Sequence, residues 1–409
     1  MPVGIKKKNL FPQERSTTGQ LKALGHKKRK QSSYTKIHVR LLARKLCRIL
    51  HCIMRKLLAE IVCIPQQAGG FFRWNANICP ASLRKEKEGG MRAFGINGFG
   101  ETPALRVLPR PEPGPGEVRV RIAACGLNFA DLLMIEGRYQ ERPEPPLTLG
   151  MEVAGIVDAL GPGVTGPPPG TRVAAFAGTG GLADYGCFPA ARCLPIPDAM
   201  PFAHAAGFQI AYGTAHVALD HRAALRPGET LLVLGAAGGV GLTAVEVGKV
   251  LGARVIACAR GADKLEAARA AGADHIIDSE TVDLRAEVRA LGGADVVYDP
   301  VGGAQFVAAF RATNPGGRII PIGFASGTVP QIPANHLLVK NLTVIGLYWG
   351  GYLKFRPEVL TGSLQTLLEW YGAGTLHPHV SHELPIERAA EALELLRSRQ
   401  STGKVVVTL

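Results

Sequence analysis

Hydrophobic and polar positions change their rhythm along the chain, and the change divides it into segments. Over residues 91–201, short apolar runs alternate with clusters of glycine and proline. Residues 118–122 alternate apolar and polar side chains as a half-buried strand does, and further strands are expected at 153–160 and 171–177. This texture predicts an irregular antiparallel β domain.

Strands and helices alternate after residue 202. Residues 230–234 form a continuous apolar run, typical of a strand buried on both faces, and lead through a glycine-rich turn into a helix ending near 252. Further strands are expected at 254–259, 275–278, 295–298, 318–323 and 342–347, and helices at 263–271, 283–291 and 305–311. Such alternation predicts a parallel, doubly wound sheet. Two more helices, near 357–371 and 386–398, precede a strand at 404–409 that is expected to return to the first domain.

Residues 1–90 form a basic leader, with 20 Lys and Arg against 4 Asp and Glu. Its apolar positions at helical spacing over 37–64 predict a basic amphipathic helix, which could lie on an anionic membrane or act as an organelle presequence. The four consecutive basic residues 27–30 could instead contact nucleic acid or direct nuclear import. In a third interpretation translation starts at Met91, and the leader, disordered or helical, is not part of the mature protein.

The rest of the chain is close to neutral. Of the 47 basic and 33 acidic side chains in 409 residues, 27 and 29 lie after residue 90, which argues against nucleic-acid binding by this part. Its four cysteines, Cys125, Cys187, Cys193 and Cys258, form no C-x-x-C motif. No uninterrupted apolar run reaches the roughly 18 residues of a spanning helix. We therefore expect a cytoplasmic protein without stable membrane insertion.

The glycine-rich turn after the first buried strand is the strongest motif. Read as A-x-G-x-x-G, it is a dinucleotide-binding fingerprint in which Gly238 lets the backbone approach a pyrophosphate and Gly241 allows close packing of helix on strand. The following helix points its N-terminus at the anion. The expected cofactor-binding residues of the turn are Ala236, Gly238, Gly239, Val240 and Gly241.

The end of the next strand indicates which dinucleotide binds. A site for NAD carries an acidic residue about 20 positions after the fingerprint, on the ribose 2′-hydroxyl. The corresponding stretch is Ala259-Arg260-Gly261, and Lys264 follows one helical turn later. A missing acid and two bases that could pair with a 2′-phosphate favour NADPH.

Further motifs are CGLNFAD (125–131), GRY (137–139), GMEVAG (150–155), YDPVGG (298–303) and TGK (402–404). Together with the fingerprint, they resemble the medium-chain dehydrogenase/reductase superfamily, in particular its zinc-free quinone oxidoreductase branch, over all of residues 91–409. The resemblance implies an α/β protein: a doubly wound Rossmann sheet (209–346, binding NADPH) inserted in a β-rich GroES-like catalytic domain (91–208, with a return at 347–409), after the leader (1–90). It also implies a homodimer, formed through edge strands of the nucleotide domains.

The resemblance bears on metal binding. In zinc-dependent alcohol dehydrogenases of the superfamily, a catalytic Cys and His take the positions of Asn128 and Met151. The structural-zinc lobe needs four clustered cysteines, and this region of the chain offers only Cys187 and Cys193. No metal site is therefore expected.

The resemblance also implies roles for single residues. Asn128 would lie near the nicotinamide and the substrate, and Tyr139 matches the proton-donating tyrosine of 2-enoyl-thioester reductases. The remaining expected cofactor contacts are Thr214 near the nicotinamide or its ribose, Gly323 and Phe324 along the cleft, and Arg399 and Lys404 near the adenosine phosphate. Asp131 is expected to make a structural ion pair. Two positions depart from the branch: Leu133 and Ser279 stand where relatives carry tyrosines.

The expected function is hydride transfer from NADPH to a quinone or another α,β-unsaturated carbonyl, a small electrophilic substrate that needs no Lewis acid. A 2-enoyl-thioester reductase is the alternative that Tyr139 favours, with Lys354 and Arg356 meeting the phosphate of a carrier. A non-catalytic nucleotide-binding protein is the third possibility.

Overall fold

Residues 90–409 are the part of the chain that the structure, a computed structural model, describes. Its strands are β1 (Gly90–Ile96), β2 (Ala104–Pro109), β3 (Glu117–Gly126), β4 (Leu147–Thr148), β5 (Glu152–Leu160), β6 (Arg172–Phe176), β7 (Tyr185–Pro189), β8 (Cys193–Pro195), β9 (Thr230–Leu234), β10 (Arg254–Ala259), β11 (His275–Asp278), β12 (Ala294–Asp299), β13 (Thr313–Pro321), β14 (Thr343–Val344), β15 (Val380–Pro385) and β16 (Lys404–Thr408). Its α-helices are α1 (Phe129–Ile135), α2 (Phe202–Ala206), α3 (Gln209–His216), α4 (Gly239–Val250), α5 (Ala262–Ala270), α6 (Leu284–Ala290), α7 (Gly303–Ala312), α8 (Ala334–Lys340), α9 (Tyr352–Phe355), α10 (Pro357–Gly372) and α11 (Ala389–Arg397). The predictions for the leader lie outside the described residues.

Six strands form the parallel sheet, in the order β11-β10-β9-β12-β13-β14. Alternate side chains of β9 enter two different buried clusters: Leu231 and Val233 pack with α4, whereas Leu232 and Leu234 pack with α6 and α7. Helices therefore cover both faces, which explains the unbroken apolar run and confirms the predicted doubly wound sheet.

The remaining strands form a β-rich part. Seven of them make a sheet in the order β15-β16-β3-β5-β6-β8, with β7 also paired to β3, and β2-β1-β4 make a smaller one. The C-terminal strand β16 lies antiparallel to β3, with Val407 opposite Cys125. The C-terminal strand thus returns to the sheet that contains β3, while the domain limits given above stay a prediction.

One predicted strand is much shorter in the structure. Of residues 342–347, only Thr343 and Val344 form β14. The N–H of Ile345 still donates to the carbonyl of Ile319 on β13, but the chain then leaves the sheet at Gly346. In the described part of the chain, no helix has the length and apolar character needed to cross a bilayer.

Candidate nucleotide and active site

The fingerprint turn lies between β9 and α4. Gly235 takes a positive φ of 56°, and α4 starts at Gly239, with Gly238 as its N-cap. A Cβ on Gly241 would lie 2.2 Å from the carbonyl oxygen of Gly235, so the helix packs on the turn only because this side chain is absent. A Cβ on Gly238 would meet nothing closer than 3.4 Å, and Gly238 is exposed. The two glycines therefore differ: one is required by the fold, and the other leaves open space in front of the backbone.

The other residues of the turn anchor it. Ala236 is buried and its N–H donates to the carbonyl of Cys258 on β10 at 3.0 Å. Gly239 and Val240 are half-buried in the first turn of α4. The dipole of α4 and its free N–H groups thus face the open side of Gly238, which is the arrangement that binds a pyrophosphate.

The C-terminal TGK motif lies directly against this turn. The N–H of Gly403 donates to the carbonyl of Ala237 at 2.8 Å. Gly403 has a φ of 58°, and a Cβ there would lie 2.3 Å from the carbonyl oxygen of His379. A glycine is therefore required at the point where the β-rich sheet meets the nucleotide turn.

The resemblance implied a place for Lys404 near the adenosine phosphate, whereas the structure places its ammonium beside Asn128. Its side chain is buried, and its Nζ donates to Oε1 of Glu152 at 2.7 Å and to Oδ1 of Asn128 at 2.8 Å. The cause is its position as the first residue of β16, which pairs with β3 just before Asn128. Lys404 thus belongs to the neighbourhood of Asn128.

Asn128 caps α1 and is half-buried. Its Nδ2 donates to Glu152 at 3.0 Å, and both Asn128 and Lys404 contact the same carboxylate oxygen. Sequence reasoning missed Glu152, which is 1% exposed on β5. The available signal was a carboxylate inside the otherwise apolar GMEVAG motif, because a buried charge requires a partner.

Backbone N–H groups, rather than the expected ion pair, hold Asp131 in the described structure. Its buried carboxylate accepts hydrogen bonds from the N–H of Asn128 at 2.8 Å and of Gly150 at 3.2 Å. Burial raises the pKa of Asp131 to about 6, against the opposing effect of these bonds and of Lys404. Asp131 therefore fixes the backbone of Asn128.

Three basic side chains meet at the carboxyl end of β10. Nζ of Lys264 donates to the backbone carbonyl of Arg399 at 2.5 Å. Burial lowers the pKa of Lys264, and the nearby charges of Arg260 and Arg399 lower it further. Glu280 is the one carboxylate paired with this group in the described chain, 3.5 Å from Arg260. We call Arg260, Lys264 and Arg399 the basic cluster.

Gly323 and Phe324 follow β13 beside the turn. The N–H of Gly323 contacts the carbonyl of Asp299 at 3.3 Å, and Phe324 is exposed. The guanidinium of Arg399 donates to the carbonyl of Ala325, the next residue, so this loop reaches the basic cluster. Thr214 is buried on α3, which packs against α4.

Tyr139 lies half-buried with its ring edge-on to Tyr348, the two centroids 6.4 Å apart. Burial raises the pKa of Tyr139, and the neighbouring Tyr348 hydroxyl raises it further. Beyond Tyr348, Glu141 forms an ion pair of 2.8 Å with Lys354. Sequence reasoning missed Tyr348, since it comes from a segment more than 200 residues away. A second tyrosine hydroxyl is thus present although Leu133 stands at the usual position.

Two known families match the described part of the chain. Residues 114–198 match the family described as alcohol dehydrogenase GroES-like domain, and residues 239–368 match the one described as zinc-binding dehydrogenase. The quinone oxidoreductase-like protein 2 homolog of Nematostella vectensis is 41% identical over 300 residues, covering 72% of this chain and 82% of the relative. The synaptic vesicle membrane protein VAT-1 homolog of Homo sapiens is 33% identical over 339 residues, covering 78% and 86%.

A solved structure agrees with these relatives. The quinone oxidoreductase of Thermus thermophilus, described together with its complex with NADPH, superposes with a TM-score of 0.69 at 35% identity, covering 78% of this chain and 100% of that one. The fold and the matches define an oxidoreductase of the medium-chain dehydrogenase/reductase type. Within that superfamily, the chain belongs to the quinone oxidoreductase branch.

Proposed function

We propose that the protein transfers a hydride from NADPH to a quinone or another α,β-unsaturated carbonyl without a zinc ion. The observation that carries the proposal is the open backbone at Gly238, where a parallel strand ends and the N-terminus of α4 begins. A pyrophosphate can approach this backbone because Gly238 has no side chain that would block it. From it, one end of the dinucleotide would extend toward the basic cluster and the other toward Asn128.

The basic cluster supports NADPH over NADH. A 2′-phosphate adds negative charge at the end of β10, where Arg260, Lys264 and Arg399 offer three cations against the single carboxylate of Glu280. An NAD site would instead need an acid where Arg260 stands. Gly323 and Phe324 would form the wall along which the cofactor lies.

Arg260→Asp is expected to lower the affinity for NADPH by roughly 10- to 100-fold, since it replaces attraction for the 2′-phosphate by repulsion. NADH affinity should stay the same or rise. Fluorescence titration with both cofactors measures this. Arg269→Asp is the matched control, because Arg269 lies exposed on α5, the helix that follows Arg260, and pairs with Glu266 instead. Unchanged NADPH affinity in Arg260→Asp would remove Arg260 from the site.

The residues at the catalytic-zinc positions do not fit a zinc ion. The amide oxygen of Asn128 is already bonded to a lysine ammonium, and Glu152 is paired with the same ammonium. Met151 is buried and offers only a thioether. In the described part of the chain, no group of three or more His, Cys, Asp or Glu could hold a metal.

The chain itself then has to position the substrate and supply a proton to it. NADPH, when bound, supplies the hydride. The Asn128 amide would hold a carbonyl oxygen in the cleft, which stabilises negative charge as it develops there. Tyr139 would deliver a proton from its hydroxyl to the reduced substrate. Thr214, on the buried face of α3, would support the nicotinamide end.

The function is tested by following the absorbance of NADPH in parallel assays with a quinone, an enone and a 2-enoyl thioester. Fastest turnover of the quinone or the enone supports the proposal, and fastest turnover of the thioester favours a 2-enoyl-thioester reductase. Lys354 and Arg356 favour that second function, because they are exposed beyond Tyr348, where the phosphate of a carrier could bind. Tight NADPH binding without turnover of any acceptor would indicate a non-catalytic nucleotide-binding protein.

We further propose a cytoplasmic homodimer. The four described cysteines are free thiols, as in a reducing compartment. The edge strand β14 lies beside α8, on which Leu338 and Val339 are 77% and 75% exposed, an apolar surface of the kind that interfaces cover.

Leu338→Asp combined with Val339→Asp is therefore expected to convert a dimer into a monomer, with a roughly 100-fold or larger loss of dimer affinity. Sedimentation velocity of both proteins measures the change. Val107→Asp, on the exposed face of β2, is the control that should keep the wild-type mass. A double variant that sediments as the wild-type dimer would place the interface elsewhere.

A further inference from the structure

Lys404 is the residue through which the nucleotide turn and the active site touch. Its backbone follows Gly403, which bonds to the turn, and its stem runs past Gly239, where a Cβ would lie 3.0 Å from its Cδ. Its ammonium donates to the carbonyl of Leu127 at 2.8 Å, besides Asn128 and Glu152. All three N–H donors of the ammonium are therefore used within the protein.

These bonds decide how the amide of Asn128 is turned. Its oxygen accepts from Lys404, and its nitrogen donates to Glu152, whose second oxygen accepts from the backbone N–H of Ile210 at 3.0 Å. Turning the amide by 180° would set its NH₂ against the ammonium and its oxygen against the carboxylate. The second amide hydrogen has only a long contact of 3.4 Å to the carbonyl of Gly126. Asn128 is thus held as a hydrogen-bond donor for a carbonyl oxygen that enters the cleft.

We propose that Lys404 is a positioning residue of the active site, which fixes the Asn128 amide as a donor and ties that amide to the nucleotide turn. The proposal rests on the proposed function and deepens it. Lys404 acts through Asn128 because its own donors are occupied and its side chain is 8% exposed. In this chain a lysine supplies the positive charge on the side of the cleft where zinc-dependent relatives carry a metal ligand at the position of Asn128.

Removal of the ammonium alone would leave Glu152 as a buried unpaired charge, so the test removes both charges. The variants are Lys404→Met combined with Glu152→Gln, Asn128→Ala, and all three changes together. Lys249→Met is the matched control, because the ammonium of Lys249 also bonds to a carboxylate and a carbonyl, at the far end of α4. Thermal unfolding shows that each variant is folded before it is assayed.

The double variant is expected to lose roughly 30-fold or more in kcat, while Kd for NADPH changes by less than about threefold, since orientation and not affinity is lost. The triple variant should be no slower than Asn128→Ala, because Lys404 acts through that amide. The Lys249→Met control should keep the wild-type kcat.

A binding readout makes the result independent of turnover. The emission spectrum of bound NADPH should shift in the double variant as it does in Asn128→Ala, because both lose the same contact near the nicotinamide. If the spectrum stays as in wild type, or the rate losses of the double variant and Asn128→Ala multiply in the triple variant, the proposal is overturned. If the wild-type protein reduces no acceptor, the proposed function fails, but the spectra still decide the role of Lys404.

Discussion

Gly238→Ala is expected to weaken NADPH binding, with a rise in Kd of roughly 100-fold or more, while the protein stays folded. The added methyl group would meet only the carbonyl oxygen of Gly235 at 3.4 Å, an ordinary contact. The backbone of Gly238, with φ of −76° and ψ of 169°, is one that alanine adopts without strain. The methyl group would, however, stand where the pyrophosphate approaches α4. Fluorescence titration gives Kd, and thermal unfolding without cofactor gives stability.

Gly241→Ala is the informative comparison, because it should lower the stability of the protein itself, whereas Gly238→Ala should weaken cofactor binding in a folded protein. There the methyl group would lie 2.2 Å from the carbonyl oxygen of Gly235 and 2.8 Å from Cα of Ala236, both backbone atoms. The free energy of unfolding should fall by about 2 kcal/mol or more even without cofactor, as overpacking costs. Gly362→Ala, exposed within α10 and with no atom within 4 Å, should leave NADPH affinity unchanged and raise the free energy of unfolding by about 0.5–1 kcal/mol. A Gly238→Ala protein that binds NADPH as wild type would show that the cofactor does not bind against the backbone of Gly238.

The parallel sheet was the most predictable part of the fold. The strands β9, β10 and β11 begin and end at the predicted residues. For β9 and β10, which are buried almost throughout, the reason is that strands covered on both faces are nearly unbroken apolar runs. For the β-rich part, only short antiparallel strands between glycine- and proline-rich turns could be predicted, and not their order. Its strand order depends on pairings such as β16 with β3, which join residues more than 250 positions apart.

The candidate site shows the same limit. The fingerprint turn could be read locally, since its glycines act on neighbouring backbone atoms. The role of Lys404 could not, because it depends on which strand lies beside Asn128. Glu152 and Tyr348 were missed for the same reason: each acquires its partner, Lys404 or Tyr139, only in the folded chain.

Tyr139→Phe is expected to slow reduction of an enone or enoyl thioester by roughly 100- to 1000-fold, because the substrate loses its proton donor. Quinone reduction should fall by less than about tenfold, since a hydroquinone anion is stable enough to take its proton from water. Cofactor affinity should not change. Steady-state rates with the three acceptors and one NADPH titration measure this. Tyr185→Phe, a half-buried tyrosine of β7 beside Arg110, is the matched control.

The pH dependence gives an independent check on the same residue. Burial, followed by the effect of Tyr348, raises the pKa of Tyr139 above its ordinary value. A donor must be protonated to act, so a raised pKa keeps it active at higher pH; enone reduction should show no decline from this group up to about pH 10. A Tyr139→Phe enzyme that reduces all three acceptors at wild-type rates would assign Tyr139 to packing against Tyr348. A large fall with the enone and the enoyl thioester, beside a small one with the quinone, would identify the tyrosine hydroxyl as the source of the proton.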